Sequence, residues 1–289
     1  MSIATIQSKY PSAIWFDSAH SGTESGTVDE PFNTFTEAMT AASDGGVIAV
    51  KDGTHTTSNI TLAKSLTFVG ESTSAIISST GSSYGGVFNA RNTSHSIKVE
   101  TLKLFQNSSS DHYGLITAGN TSDATVTVEG CILEMGSLTL AASLNRGWFS
   151  GHSSPTTSLT ISDTVILGGT SATTFGVVVG GDSLQDGFNA VDIQRCTIVV
   201  TGGSANKLSS YSTGITSSTF KNNIFVGNGN SETIGFTPST YLNNCHNNNG
   251  ETTGGTDNLF STDPQFVDSS TGDYRLRPSS PCINAGTAS

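Results

Sequence analysis

The sequence predicts an all-β chain of stacked coils, a β-solenoid, on three observations. A nine-residue phrase recurs along it: "VTVEGCILE" from Val126 and "VDIQRCTIV" from Val191 are close copies, with "IKVETLKLF" from Ile97 and "LTISDTVIL" from Leu159 between and beside them. A second phrase runs in phase with the first: "GVFNA" from Gly86, "GLITA" from Gly114, "GWFSG" from Gly147, "GVVVG" from Gly176 and "GITSS" from Gly214. Long helical periodicity is nearly absent, while short β-branched runs are everywhere. A unit of two or three short strands cannot bury its own apolar face, but it can when stacked on copies of itself. Hydrophobic residues make up 34% and charged residues 12%. Both are low for a globular chain, yet the regular β-branched runs and low charge argue against disorder.

The elements follow in order. Residues 1–46 hold an entry strand, a loop and one capping helix. Thr34 and Glu37 make a capping-box pattern, and Phe35, Ala38, Met39 and Ala42 fall on one apolar face at helical spacing. That helix is expected to lie over the open end of the stack and guard its strand edges. Residues 47–255 are the coils. Taking the third residue of each phrase as an anchor gives Phe68, Val99, Val128, Ile161, Ile193, Phe220 and Leu242, with steps of 31, 29, 33, 32, 27 and 22 residues. The variable step implies turns that differ from coil to coil. Asn and Gly at the corners suit tight turns. Residues 256–289 form a closing tail.

Three residues after each anchor lies one position per coil, hence one interior column: Leu102, Cys131, Thr164, Cys196, Asn223 and Cys245. Amides in such a column can form hydrogen-bonded ladders. Cysteines two coils apart stand roughly 10 Å from each other, too far for a disulfide. The three column thiols are therefore expected to be reduced, buried and uncrosslinked. No Cys–His or paired-Cys spacing suggests a metal site. Cys282 lies in the tail, outside the column.

Both ends carry a family resemblance. "IWFDSAHSGTESGTVDEPFNTFTEAMTAASDGGVIAVKDGTH", residues 14–55, resembles the entry segment of right-handed parallel β-helix proteins. "DPQFVD", "GDYRL" and "SPCINAG" resemble their closing segment. With the repeats, the resemblance covers nearly the whole chain. It implies a single right-handed parallel β-helix of the pectate-lyase-like or phage-tailspike-like kind. It implies no single activity, because that fold hosts lyases, hydrolases, adhesins and tailspikes.

Lyases of this kind use a basic side chain as proton acceptor beside a uronate carboxylate, often with Ca²⁺ on acidic side chains. Here Arg91 and His152 share one offset from their Gly-led phrases, and Asp182 falls one residue later than that offset. If the chain is an enzyme, Arg91 or His152 is the base or carboxylate clamp and Asp182 the acid, orienter or cation ligand. The bland alternative is three charges on solvated loops. Glu100 and Glu129 stack in adjacent coils and could share Ca²⁺, or simply face water. No other cofactor is implied. Trp148, Tyr113 and Tyr84 lie in or near the second phrase, where they either grip sugar rings or fill the core.

The net charge of −11 argues against a nucleic-acid groove and an anionic-membrane dock. No apolar stretch is long enough to span a bilayer. The first fifteen residues show no apolar signal-peptide core. That favours a component of a phage virion (tailspike, fibre or capsid decoration) that binds host surface polysaccharide among other virion proteins. By analogy with such spikes, a homotrimer is expected. The alternative is a secreted lyase or hydrolase of an acidic glycan whose leader has been removed.

Overall fold

Alternation dictates how each coil starts. In Thr125–Glu129, Val126 and Val128 are buried while Thr125 and Glu129 are exposed. Ser158–Ser162, Ala190–Gln194 and Ser217–Lys221 repeat that pattern. A half-buried strand with period two has one side that must be covered, and here the covering comes from the other strands of the same coil. A computed structural model describes residues 1–80, 86–90, 94–106, 115–118, 123–136, 146–151, 157–168, 175–179, 188–200, 206–209, 215–227, 233–234, 238–247 and 255–286.

Among these residues the chain is all-β, with two short α-helices. Three parallel sheets of nine, eight and seven strands are visited in turn by successive coils. Coil by coil, the chain passes from a first sheet (Ile97–Glu100, for example) to a second (Lys103–Gln106) and a third (Ile116–Ala118) before returning to the first. Parallel rungs stacked in this way are consistent with a parallel β-helix. The register in the first sheet pairs Phe68 with Val99, then Val128, Ile161, Ile193 and Phe220. These anchors line one continuous apolar core running from Phe16 to Tyr241.

The corner between the first and second sheets explains the rest of the phrase. Thr101, Asp163, Arg195, Asn222, Asn243 and Asp257 all adopt φ between 51° and 58°, and Gly130 has φ 63°. One left-handed residue per coil turns the chain sharply, so the next side chain points inward. That next side chain is Leu102, Cys131, Thr164, Cys196, Asn223 or Asn244, all buried, and after Asp257 the half-buried Asn258.

Two expectations need correction. The last rung pairs Phe220 with Tyr241, so Leu242 is not the anchor; it lies beside Lys221 on the outer face. Asn244 therefore takes the column position assigned to Cys245, which pairs with Ile224 in the second sheet. Tyr241 and Leu242 are both apolar, and either phase satisfies the alternation. The tie is broken by the corner, where Asn244 continues an amide ladder. A slip of one residue exchanges the two faces. In the third sheet, Gly147 pairs with Gly176 as expected, but Gly176 then pairs with Lys207, in strand Asn206–Ser209. "GITSS" from Gly214 instead precedes and enters the first-sheet strand Ser217–Lys221.

Both ends are covered. Helix α2, Phe35–Ala41, starts at Thr34, whose Oγ1 accepts the Glu37 amide at 3.2 Å. It buries Ala38 and stacks Phe35 on Phe16, ring centroids 3.9 Å apart, over the first rung. Helix α1, Ile3–Lys9, has no counterpart in the sequence reading. It lies on the outside of the first sheet, where Ile6 packs with Trp15, Ala49 and Val69. At the other end, the buried Asn244 Nδ2 donates to Phe220 O at 3.0 Å and to Asn258 Oδ1 at 3.2 Å. Phe225, His246 and Phe260 stack above one another, and Tyr241 hydrogen-bonds His246. The tail adds an antiparallel hairpin, Phe266–Asp268 with Asp273–Leu276.

Candidate functional site on the outer face of the first sheet

The outward positions of the first sheet form vertical columns, because parallel strands in register bring like positions about 4.8 Å apart. One column changes character along its length. It is apolar at Trp15, Ala49 and Val69, acidic at Glu100 and Glu129, then polar at Ser162, Gln194 and Lys221. The next column is rich in threonine: Thr67, Lys98, Thr127, Thr160, Asp192 and Thr219.

Helix α1 covers the apolar part of the first column and ends at its acidic part. Glu100 is 1% exposed. Lys9 Nζ donates to its Oε1 and Oε2 at 3.2 and 3.0 Å, and Tyr10 OH donates to Oε2 at 2.7 Å. Lys98 forms an ion pair with Glu100 and reaches Glu129 Oε2 at 3.4 Å. The two carboxylates do stack at matching positions. The countercharge between them is the Lys98 ammonium, the role the sequence reading offered to Ca²⁺. Among the described residues, no group of three or more His, Cys, Asp or Glu side chains gathers as a metal site would require.

The electrostatics follow from burial and partners. Burial pushes the Glu100 carboxyl up, but hydrogen bonds from Lys98, Tyr10 and Lys9 outweigh it and hold it below its ordinary 4.5. Burial lowers Lys98, yet the hydrogen bond and charge of Glu100 carry it above 10.5. Tyr10 is raised by burial and by the Glu100 carboxylate. Every group is thus driven further into its resting protonation state: carboxylate, ammonium and phenol. A general base needs the opposite, a value moved toward the working pH. This cluster is an ionic pin that fastens α1 to the sheet.

Beyond the pin the outer face is a grid of short polar groups. Thr125, Thr127 and Glu129 occupy one rung, Ser158, Thr160 and Ser162 the next, Ala190, Asp192 and Gln194 the third, and Ser217, Thr219 and Lys221 the fourth. All are exposed or half-buried. Ser158 Oγ donates to Thr125 Oγ1 at 3.3 Å across rungs. Gln194 Nε2 donates to both Asp192 oxygens, at 2.8 and 3.0 Å, which fixes that carboxylate on the surface. Exposed threonines suit this face because β-branched side chains pack well on a pleated sheet.

No family model matches the chain, and neither does any curated protein. Arg91, His152, Asp182, Tyr113 and Tyr84 lie outside the described residues. Trp148 sits in strand Arg146–Gly151 of the third sheet, and its side chain is likewise outside them.

Sequence reasoning missed Lys9, Tyr10 and Lys98. Lys98 was legible in hindsight, since it alternates with Glu100 on one strand face. Lys9 and Tyr10, about ninety residues earlier, were not. A pair between the exposed Ser18 and the buried His55 was also missed. Ser18 Oγ lies 2.8 Å from His55 Nδ1, which also accepts the Ser18 amide at 3.2 Å, while His55 Nε2 donates to Lys51 O at 2.8 Å. Both ring nitrogens are engaged in the neutral tautomer, so the imidazole ties the entry strand to the first coil.

Proposed function

We propose that the chain forms a closed, right-handed parallel β-helix whose polar outer face recognises an extended host-surface glycan without cleaving it. The observation that carries this is the four-rung grid from Thr125 to Lys221: hydroxyls set at the strand spacing, with one amide, two carboxylates and one ammonium among them. A periodic array of donors and acceptors is complementary to a polymer that repeats its own hydroxyls. The acid and base groups beside the grid support recognition over chemistry, since Lys98, Glu100, Lys9 and Tyr10 are consumed in fastening α1. The surface of a phage virion, in a homotrimer, is the setting we propose for such a scaffold.

The test is incubation with host capsular, lipopolysaccharide, pectate and alginate preparations, with and without Ca²⁺, reading binding and chemistry together. Expected is retention on one glycan, weakened by Thr160→Lys or Asp192→Ala, with no new reducing ends and no ultraviolet signal of an unsaturated sugar. Cleavage lost on Arg91→Ala or His152→Ala would replace this reading with a lyase or hydrolase whose base lies on the loops. Detection of the protein in purified virions, and light scattering for the trimer, test the setting separately.

A further inference from the structure

The correction to the cysteine column leaves Cys245 in an environment the other two column thiols do not share. Cys131 and Cys196 are buried in the column, and burial pushes both thiols up to about 12. Cys245 sits at the top of the second sheet, and its Sγ lies 2.6 Å from Sγ of Cys282, 37 residues later in the tail. Two sulfurs this close are inside non-bonded contact distance. Cys282 is half-buried, so a reagent can reach it. Both cysteines border a cavity of about 200 Å³, together with Arg195, Asn222 and Leu276.

The chain around Cys282 is held in place independently of the sulfurs. Its amide donates to Ser280 Oγ at 3.1 Å, and that hydroxyl donates to Pro264 O at 2.6 Å. Three residues on, Ala285 O accepts from Asn243 Nδ2 at 3.1 Å. The thiols therefore meet without any tail movement, the condition that engineered disulfides most often fail. Hydrogen bonding with Cys245, followed by that with Ser280, draws the Cys282 thiol below its ordinary value, the reverse of what burial does to Cys131 and Cys196.

We propose that Cys245 and Cys282 are a covalent cross-linking site, forming an intramolecular disulfide that clasps the closing tail to the last rung. The oxidant is a small disulfide. The Cys282 thiolate attacks one of its sulfurs, making a mixed disulfide and releasing one thiolate. Cys245 then loses its proton, attacks the Cys282 sulfur and releases the second thiolate. Two protein thiols are oxidised by two electrons, one acceptor disulfide is reduced to two thiols, and the new bond is Cys245 Sγ–Cys282 Sγ.

The experiment uses the whole chain, equilibrated with oxidised glutathione, then denatured in an alkylating agent without reductant and weighed intact. Of the four cysteines, two are expected to take label, and peptide mapping should show Cys245 joined to Cys282. The dithiothreitol-reduced sample should take four labels. Cys282→Ser, a near-isosteric change at a half-buried position, should take three labels in both conditions. Four labels after oxidation, a glutathione adduct persisting on Cys282, or a cross-link to Cys131 or Cys196 would each overturn the proposal.

Discussion

The two ends of the stack solve one problem by different physics. The first rungs are covered by helices: α2 lays Phe35 and Ala38 over the core, and α1 lays Ile6 on Trp15, Ala49 and Val69 outside. Apolar area is what holds them, with the Glu100 pin fixing position. The last rungs are covered by polar chain. Asn223, Asn244 and Asn258 pass hydrogen bonds up the corner column: Asn223 Nδ2 donates to Asn244 Oδ1 at 3.0 Å, and the Asn244 amide donates to Asn258 Oδ1 at 2.8 Å. A rung with nothing above it leaves backbone groups unpaired, and an amide ladder satisfies them where a leucine could not. Area closes one end; hydrogen-bond satisfaction closes the other.

The comparison can be pressed hardest at the polar end. Oxidising the Cys245–Cys282 pair should stabilise the protein by about 4 kcal/mol through the loop it closes, seen as a higher urea midpoint that Cys282→Ser abolishes. Asn244→Leu should cost about 3 kcal/mol despite its similar shape, because the Asn223 N–H and the Phe220 carbonyl would lose their side-chain partner. If the leucine variant matched the wild type, the last rungs would be held by area like the first.

At the apolar end, Glu100→Ala should cost about 2 kcal/mol and release α1, leaving Lys98 beside a buried gap. Proteolysis at Lys9 and Trp15 fluorescence in a Trp148→Phe background would report it. The pin should also respond to pH. Glu100 is depressed, so its contribution is complete above 4.5 and lost as pH falls through its lower folded value. Lys98 and Lys9 are raised, so theirs are complete below 10.5 and lost as pH rises through the higher folded values. Trp15 emission should therefore be constant between these limits and shift at both.

The smallest effect belongs to the corners. Gly130 occupies the left-handed position that other coils give to Asp, Asn, Arg or Thr. Gly130→Ala should cost about 1 kcal/mol, while Thr101→Gly, relieving a β-branched residue at φ 51°, should gain a similar amount. Denaturant midpoints for the two variants should move in opposite directions.

The sequence by itself determined the rungs. Inward anchors from Phe68 to Phe220, the corner column through Asn223 and the α2 capping box were all readable, because strand alternation and helix capping are local and the repeat supplies each coil's partner. Local signals failed where two registers were equally apolar, at Tyr241 and Leu242, and where a strand such as Asn206–Ser209 lacked the Gly-led phrase. Only the tertiary structure decided which outward residues are covered. Lys9 and Tyr10 reach Glu100 from about ninety residues away, and Cys282 reaches Cys245 across 37, because the helix and the tail fold back over rungs they do not pair with. Such contacts have no period in the chain; they depend on where a segment lands.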